Sequence, residues 1–317
     1  MKKLIYIKKN KILFIMIGLL LIYKISTRTT GIDFSSYVKI YERTQELDLK
    51  SFSLRIEPLF LLMFLLSPTQ VFAFGIIGTI SLYFKLNSIL KFSYYPFLSL
   101  IYYIMFFFIK DDMGRIRAGV ASAIMIYATK YLESRKYLLF IFIAFLFHRS
   151  IILYFIVYIL YNRNLSQKKL EIFFIFSILL SLIDFSKLIY CLTFIPYIKT
   201  TILLYISKIE RIYFSPIMIM KCFYVYLFFR YYKKLCLYKY FKQLFLVYLV
   251  GNMIYFSFNS INIIATRGSE IFSCIEFILL PYLLKISNKY IIKIVIFIII
   301  TAYYMYGCYN ELYYLIS

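Results

Sequence analysis

Residues that bind metals or anchor cofactors are scarce in this 317-residue sequence. His148 is the only histidine, and the five cysteines are scattered without the spacing of a zinc site or a disulfide framework. A glycine-rich phosphate loop and a dinucleotide-binding fingerprint are also missing. We therefore expect no zinc, haem or nucleotide cofactor on this chain. The cysteines are Cys191, Cys222, Cys236, Cys274 and Cys308.

Polar stretches are also few, and apolar runs recur along almost the whole chain. Hydrophobic residues make up 63% of the sequence, against roughly 45–50% in a soluble protein, and the mean hydropathy is +0.81. Each run is close to the ~17–25 residues that a helix needs to cross a bilayer. The sequence therefore predicts an all-α polytopic integral membrane protein, a single transmembrane domain over residues 1–317. It would have about 10–12 transmembrane helices, some of them short or re-entrant.

The apolar runs divide the chain into spans and loops. The piece EPLFLLMFLL, 57–66, is too short to cross a bilayer and is followed by Ser67-Pro68. Residues 25–69 are therefore predicted to form an outer loop with a short interfacial helix. The predicted spans are 12–23, 70–84, 94–109, 116–130, 137–148, 150–161, 171–190, 213–230, 243–258, 270–284 and 291–306.

The distribution of lysine and arginine predicts the orientation of these spans. With the N-terminus in the cytoplasm, the inner segments carry 21 basic residues and the outer segments carry 15. Basic residues favour the cytoplasmic side, so this orientation is the predicted one. The inner segments are 1–11, 85–93, 130–136, 162–171, 230–242 and 285–293.

His148 and Arg149 lie midway along a run, 137–161, that otherwise contains no charged residue. As a single span, this run would place an arginine at the bilayer centre, at a cost of roughly 2.5–3.5 kcal/mol. As a hairpin, each arm would have about 12 residues and rise ~18 Å, which is short of the ~30 Å hydrocarbon core. We predict the hairpin, with its tip in a water-accessible pocket within the outer leaflet.

Several charged residues accompany this tip on the predicted outer side. Topology alone does not require arginines there, and arginine is suited to bidentate recognition of phosphate. The arrangement favours an amphiphile with a diphosphate head and a lipid tail. The alternatives are a solvated loop for the first outer segment and, for the last one, an ion pair between Arg267 and a carboxylate. The arginines are Arg115, Arg117, Arg149 and Arg267, and at most one of Arg115 and Arg117 can face a given pocket, because they point to nearly opposite sides of a helix.

Five short motifs occur in a characteristic order: GIDFSSYVKIYE, RIEPLF, RAGVASA, AFLFHRSII and TRGSEIFSCIEFILLP. In this order they resemble the motifs of the EpsG/Wzy-type polysaccharide polymerases, across about 250 residues. The chain departs from the family pattern by having Arg115 beside Arg117, and Gly-Ser-Glu after Arg267. The matching positions are Gly31, Asp33, Tyr37, Glu57, Arg117, Gly119, Ala121, His148, Ser150 and Arg267.

The resemblance implies a glycosyltransferase of the bacterial inner membrane. Such enzymes join oligosaccharide repeat units carried on undecaprenyl diphosphate, on the outer face of the membrane, without a cofactor or a metal. A GT-C-like membrane glycosyltransferase architecture is compatible with this reaction. The implied partners are the lipid-linked oligosaccharide, membrane lipid, and flippase and chain-length regulator proteins, with no nucleic acid.

The reaction also suggests roles for the matching residues. We expect fixed cations to stabilise the leaving diphosphate, first Arg117 and Arg267, with Arg115 and Arg149 in reserve. His148 is the first choice for the base that activates the attacking hydroxyl, with Asp33 or Glu57 second. Tyr37 would contact sugars. The alternatives without a catalytic role are a structural hydrogen bond for His148 and, for the tyrosines, a place in the aromatic belt at the membrane interface.

Three other functions stay open on the sequence. A flippase or transporter would move the lipid-linked sugar without chemistry, although such folds usually contain internal repeats, which we do not find. A membrane acyltransferase that decorates the polysaccharide would also need a histidine. A structural partner of a glycan-assembly complex is the third alternative.

Overall fold

The computed structural model describes residues 2–46, 56–185 and 216–316, which form helices and, within these ranges, no β-strand. The first elements are α1 (Lys2–Ser26), α2 (Phe34–Gln45), α3 (Pro58–Leu65), α4 (Gln70–Phe92), α5 (Pro96–Tyr102), a π-helix (Tyr103–Gly114), α6 (Ile116–Ala128), a 3-10 helix (Thr129–Tyr131), α7 (Lys136–Phe145) and a second 3-10 helix (Arg149–Leu153). They continue with α8 (Tyr154–Asn162), α9 (Gln167–Leu180), α10 (Pro216–Arg230), α11 (Tyr232–Leu235), α12 (Phe241–Ser257), α13 (Asn262–Ser273), α14 (Glu276–Leu279), a 3-10 helix (Leu280–Lys285) and α15 (Tyr290–Ile316). The all-helical prediction is confirmed for these residues.

The chain folds into two compact units, Met1–Ile152 with Lys289–Ser317, and Leu153–Asn288. In the first unit α4 packs against α1 and α6, α2 packs against α3, and α15 packs against the π-helix. In the second unit α12 packs against α8, α9 and α13. The single transmembrane domain over residues 1–317 stays a prediction.

Two of the described helices are long and apolar enough to cross a membrane, Gln70–Phe92 and Tyr290–Leu312. Other apolar helices are shorter, among them Lys136–Phe145 and the helical stretch Arg149–Asn162. The predicted total of ten to twelve spans stays a prediction, and part of two of them, 171–190 and 213–230, lies outside the described residues.

The outer loop predicted at 25–69 contains more helix than expected. α3 confirms the predicted short helix at 57–66, whereas α2 lies in a stretch that we had interpreted as polar loop. Tyr37 and Tyr41 lie one turn apart on α2, and their rings pack on Phe60 and Phe64 of α3, with centroids 5.5 and 5.7 Å apart. Phe34, Tyr37 and Tyr41 follow helical spacing in the sequence, and Tyr37 and Tyr41 form the side of α2 that faces α3. Residues 47–55 lie outside the described residues.

The run 137–161 is interrupted where the sequence predicted. α7 ends at Phe145, and the amide nitrogens of Phe147 and His148 both donate to the carbonyl oxygen of Ala144. A 3-10 helix begins at Arg149. His148 therefore lies between two helical segments, and the predicted interruption of the run is confirmed. The reversal of the chain direction and the depth of the tip in the membrane stay predictions.

The predicted loop at 85–93 is wrong. α4 continues without interruption to Phe92, and Nζ of Lys85 lies 2.6 Å from Oδ2 of Asp112, with both side chains buried. Asp112, between the predicted spans 94–109 and 116–130, would lie on the outer side, and Lys85 belongs to the predicted inner segment 85–93. One ion pair cannot join opposite faces of a bilayer. Nearby Asn87 and Ser88 donate to carbonyl oxygens one turn back in α4, so their polarity did not indicate a loop. Lys85 therefore no longer counts among the basic residues of the inner segments, and the orientation of the chain in the membrane stays a prediction.

The predicted span 270–284 is also divided. α13 ends at Ser273 and α14 begins at Glu276. The carboxylate of Glu276 is buried, 3.4 Å from Nζ of Lys221, which also donates to Oγ of Ser273 at 3.0 Å. Because the helix breaks there, the acid at the start of α14 can meet a lysine from α10. Arg267, predicted at the mouth of a span, lies within α13.

Candidate functional site

Glu57 occupies the centre of a small charged cluster in the first unit. Glu57 directly precedes α3, has an extended backbone conformation and is only 4% exposed. Oε2 lies 2.8 Å from Nη1 of Arg117, and Oε1 lies 3.5 Å from Nδ1 of His148. One buried carboxylate therefore lies between a guanidinium and an imidazole that are far apart in the sequence.

Backbone contacts fix this arrangement. The amide nitrogen of Leu59, in the first turn of α3, donates to the carbonyl oxygen of Leu146 at 3.0 Å. This bond joins the start of α3 to the break that carries His148. Arg117 lies in the first turn of α6, directly after the π-helix. Each of the three side chains thus extends from the beginning or the end of a helix, where small shifts in the connecting segment decide the geometry.

The charges of the cluster hold Glu57 ionised. Burial alone would raise its pKa, but the neighbouring His148 imidazole and the Arg117 guanidinium outweigh burial and lower the pKa of Glu57 to about 2. A carboxylate with this pKa accepts hydrogen bonds at neutral pH and is a weak base. The side chains of Arg117 and His148 are each 26% exposed, so both are partly accessible.

Tyr37 and Asp33 complete the cluster on its α2 side. The guanidinium carbon of Arg117 lies 5.6 Å from the centroid of the Tyr37 ring and 5.7 Å from that of Phe60, within the range of cation–π attraction. The hydroxyl of Tyr37 donates to Oδ2 of Asp33 at 3.4 Å. Burial raises the pKa of Tyr37, which is 1% exposed. Its ring therefore supports Arg117 in this structure, and sugar contact by Tyr37 stays a prediction.

The other three predicted arginines have different surroundings. Nη2 of Arg115 lies 2.8 Å from Oδ1 of Asp111, so the two neighbouring arginines use different carboxylates. Arg149 is exposed on the 3-10 helix that follows His148. Arg267 belongs to the second unit, where its side chain is exposed and forms no ion pair or hydrogen bond with any part of the chain that the structure describes.

The sequence did not single out Arg28. It is 6% exposed, and its Nη1 donates to the carbonyl oxygens of Asp112 and Met113, the former at 3.4 Å. Its guanidinium carbon lies 4.4 Å from the centroid of the Phe74 ring and 5.6 Å from that of Tyr37. The sequence signal that could have identified Arg28 is its position, three residues before Gly31, where the first motif begins.

Gly31 explains how this segment approaches the π-helix. Its φ is +145°, and a Cβ atom there would lie 2.5 Å from the carbonyl oxygen of Met113. Only glycine fits such a conformation and contact without strain. Gly119 is similar in contact, since its Cβ would lie 2.9 Å from the carbonyl oxygen of Asp111. Two glycines of the motifs thus let the first loop and α6 pack directly on the end of the π-helix.

Arg28 has more hydrogen-bond donors than acceptors. Its Nε and Nη2 are buried and have no hydrogen-bond acceptor among the described residues. Buried donors without acceptors are costly, and a ligand with several oxygen acceptors relieves that cost. In the described ranges, no group of three or more histidine, cysteine or acidic side chains could hold a metal ion. The arrangement suits an oxyanion.

Comparisons with known proteins identify the family. Residues 11–315 match the model of the EpsG family, which covers nearly the whole chain. Neither the curated proteins nor the solved structures contain a match to this sequence.

Proposed function

Because the chain belongs to the EpsG family of polysaccharide polymerase-like membrane proteins, we propose that it polymerises oligosaccharide repeat units carried on undecaprenyl diphosphate. The reaction takes place on the outer face of the bacterial cytoplasmic membrane, with the N-terminus of the chain in the cytoplasm. Flippase and chain-length regulator proteins would supply the substrate and limit the product.

The observation that carries this proposal is the shared carboxylate of Glu57. It neutralises one side of Arg117 and faces Nδ1 of His148, at 2.8 and 3.5 Å. The guanidinium carbon of Arg117 also lies 5.6 Å from the centroid of the buried Tyr37 ring. One cluster thus holds a fixed cation for a leaving diphosphate beside an oriented imidazole for proton transfer.

The chemistry assigns a role to each group. The sugar hydroxyl of one lipid-linked unit attacks the anomeric carbon of another, and the bond from that carbon to the diphosphate oxygen breaks. The hydroxyl proton passes to Nε2 of His148, while Glu57 favours the proton of the neutral ring on Nδ1. Undecaprenyl diphosphate leaves with the bonding electron pair, and Arg117 stabilises its charge. Glu57 is thereby an orienting group, and Asp33 stays the second candidate for the base.

Substitutions of Arg117 and His148 test the proposal. The purified protein would be given a lipid-linked repeat unit, and the length of the glycan would be measured by gel electrophoresis and mass spectrometry. We expect Arg117→Ala to lower turnover about 10²–10³-fold, Arg117→Lys to restore part of it, and His148→Gln to lower it about 10²–10⁴-fold. Arg163→Ala, at an exposed arginine outside the cluster, is the control.

Three results would contradict the proposal. Glycans of normal length from Arg117→Ala would remove the cation from the reaction. Acylated sugar as the product would identify an acyltransferase instead. Transfer of the intact lipid-linked unit across vesicles without elongation would identify a flippase. A variant of Arg267 belongs in the same series, because its clamp role, like those of Arg115 and Arg149, stays a prediction.

A further inference from the structure

A second arginine lies against the same buried tyrosine as Arg117. The guanidinium carbons of Arg28 and Arg117 are each 5.6 Å from the centroid of the Tyr37 ring. They therefore cannot be further apart than twice that distance. Tyr37 is 1% exposed, so both guanidinium groups contact one buried ring.

Arg28 is poorly satisfied by its own protein. Nη1 has two backbone carbonyl oxygens as acceptors, but Nε and Nη2 are buried without an acceptor among the described residues. The three aromatic rings around the group, those of Phe34, Tyr37 and Phe74, attract the cation without accepting hydrogen bonds in the plane of the guanidinium. The remaining donors call for an oxygen-rich anion.

The charge of Arg28 persists under working conditions. Burial lowers the pKa of Arg28, and the nearby Tyr37, Asp112 and Asp33 partly oppose that effect, which leaves the pKa at about 10. The guanidinium is therefore cationic at neutral pH. The carboxylate of Asp112 is already engaged by Lys85, Ser81 and Tyr103, so it does not satisfy Arg28 directly.

We infer that Arg28 binds one phosphate of the lipid-linked diphosphate while Arg117 binds the other, so that the pair selects a diphosphate over a monophosphate head. This inference rests on the proposed function, which by itself needs only Arg117. The partial exposure of Arg117 makes it the first contact of the incoming headgroup. Arg28 is 6% exposed, so the headgroup must displace part of the surrounding aromatic side chains to reach it.

Binding of two lipid probes to the full-length protein in detergent tests the inference. The probes are farnesyl diphosphate and farnesyl monophosphate, and their affinities are measured by calorimetry. We expect the wild-type protein to prefer the diphosphate. Arg28→Met should weaken diphosphate binding about 10-fold or more and leave monophosphate binding nearly unchanged, because a charged hydrogen-bonding group is lost from only one phosphate site.

Two further variants separate this inference from the proposed function. Arg117→Ala should weaken both probes, and unchanged binding of both probes to Arg117→Ala would contradict the proposed function. Arg43→Met removes an exposed arginine from α2 and should change neither affinity. If Arg28→Met weakens both probes equally, or neither, the inference is wrong, while the result for Arg117 still stands.

A structural role for Arg28 has a different signature. As a cap on the carbonyl oxygens of the π-helix, Arg28 would affect the melting temperature without altering headgroup preference. Arg28→Lys keeps a charge in the same place and decides the matter if Arg28→Met does not fold. We expect Arg28→Lys to reduce the preference for diphosphate several-fold, and a preference equal to that of the wild type would overturn the inference.

Discussion

Removing one partner of the Lys85–Asp112 ion pair should destabilise the protein strongly. Lys85 is fully buried and Asp112 is 2% exposed, and Asp112 accepts hydrogen bonds from Nζ of Lys85 and from the Tyr103 hydroxyl, each at 2.6 Å, and from Ser81. Lys85→Met leaves a buried carboxylate without its cation, which costs about 3–5 kcal/mol. Asp112→Asn leaves a buried ammonium group and should cost a similar amount.

The double variant should recover much of this loss. Lys85→Met with Asp112→Asn removes both charges, while the amide still forms hydrogen bonds with Ser81 and Tyr103. The expected coupling between the two substitutions is about 2–4 kcal/mol, and a double-mutant cycle measures it. Reversible unfolding in mixed micelles, followed by circular dichroism, gives the four stabilities.

The matched control is the pair Lys110–Glu311 in the same unit. These side chains are 18% and 16% exposed, and Nζ of Lys110 lies 3.8 Å from Oε1 of Glu311. Lys110→Met should therefore cost less than Lys85→Met, because the pair is longer and partly exposed to solvent. Strictly additive losses in the Lys85–Asp112 cycle, or a loss at Lys85 no larger than at Lys110, would refute the argument from burial.

Two further predictions concern the segments around the cluster. Gly31→Ala should lower the free energy of unfolding by about 1–3 kcal/mol, because φ is +145° and the new Cβ would meet the carbonyl oxygen of Met113. Gly114→Ala is the control and should be tolerated, because the nearest atom to its new Cβ would lie at 3.5 Å. Thermal unfolding compares the two variants. Because the pKa of Glu57 is lowered, its contribution to stability is present above pH 4.5 and is lost as the pH falls toward about 2. A plot of melting temperature against pH should therefore be flatter over that window in Glu57→Gln than in the wild type. Equal slopes in both proteins would contradict the lowered pKa of Glu57.

The sequence motifs singled out the residues of the cluster, but they did not predict the distances between its side chains. Glu57, Arg117 and His148 each belonged to a motif, but nothing in their spacing placed the three side chains around one carboxylate. Arg115 and Arg117 do pair with different acids, but helical geometry is not the reason, because Arg115 lies between the π-helix and α6 in a non-helical conformation. Helical periodicity is a local property, so it predicts directions along one helix and not contacts between helices.

The residues that sequence reasoning missed share a physical cause. Lys85 lies in a polar stretch of α4, KLNS, that resembles a loop until its serine and asparagine are seen bonding to their own helix. Arg28 lies in a polar segment, STRTT, where an exposed side chain is the ordinary expectation. In both cases tertiary contacts bury a charge that composition assigns to the surface.

The scarcity of acids gives the buried carboxylates their meaning. The chain has 14 acidic and 37 basic residues, and four acids are buried in the described parts of the chain, each beside a base. The pairs are Glu57 with Arg117, Asp111 with Arg115, Asp112 with Lys85, and Glu276 with Lys221. Only the Glu57 carboxylate also faces an imidazole, and the side chains on both of its sides are one-quarter exposed. The Glu57 carboxylate therefore lies between two basic side chains that an anionic headgroup can reach.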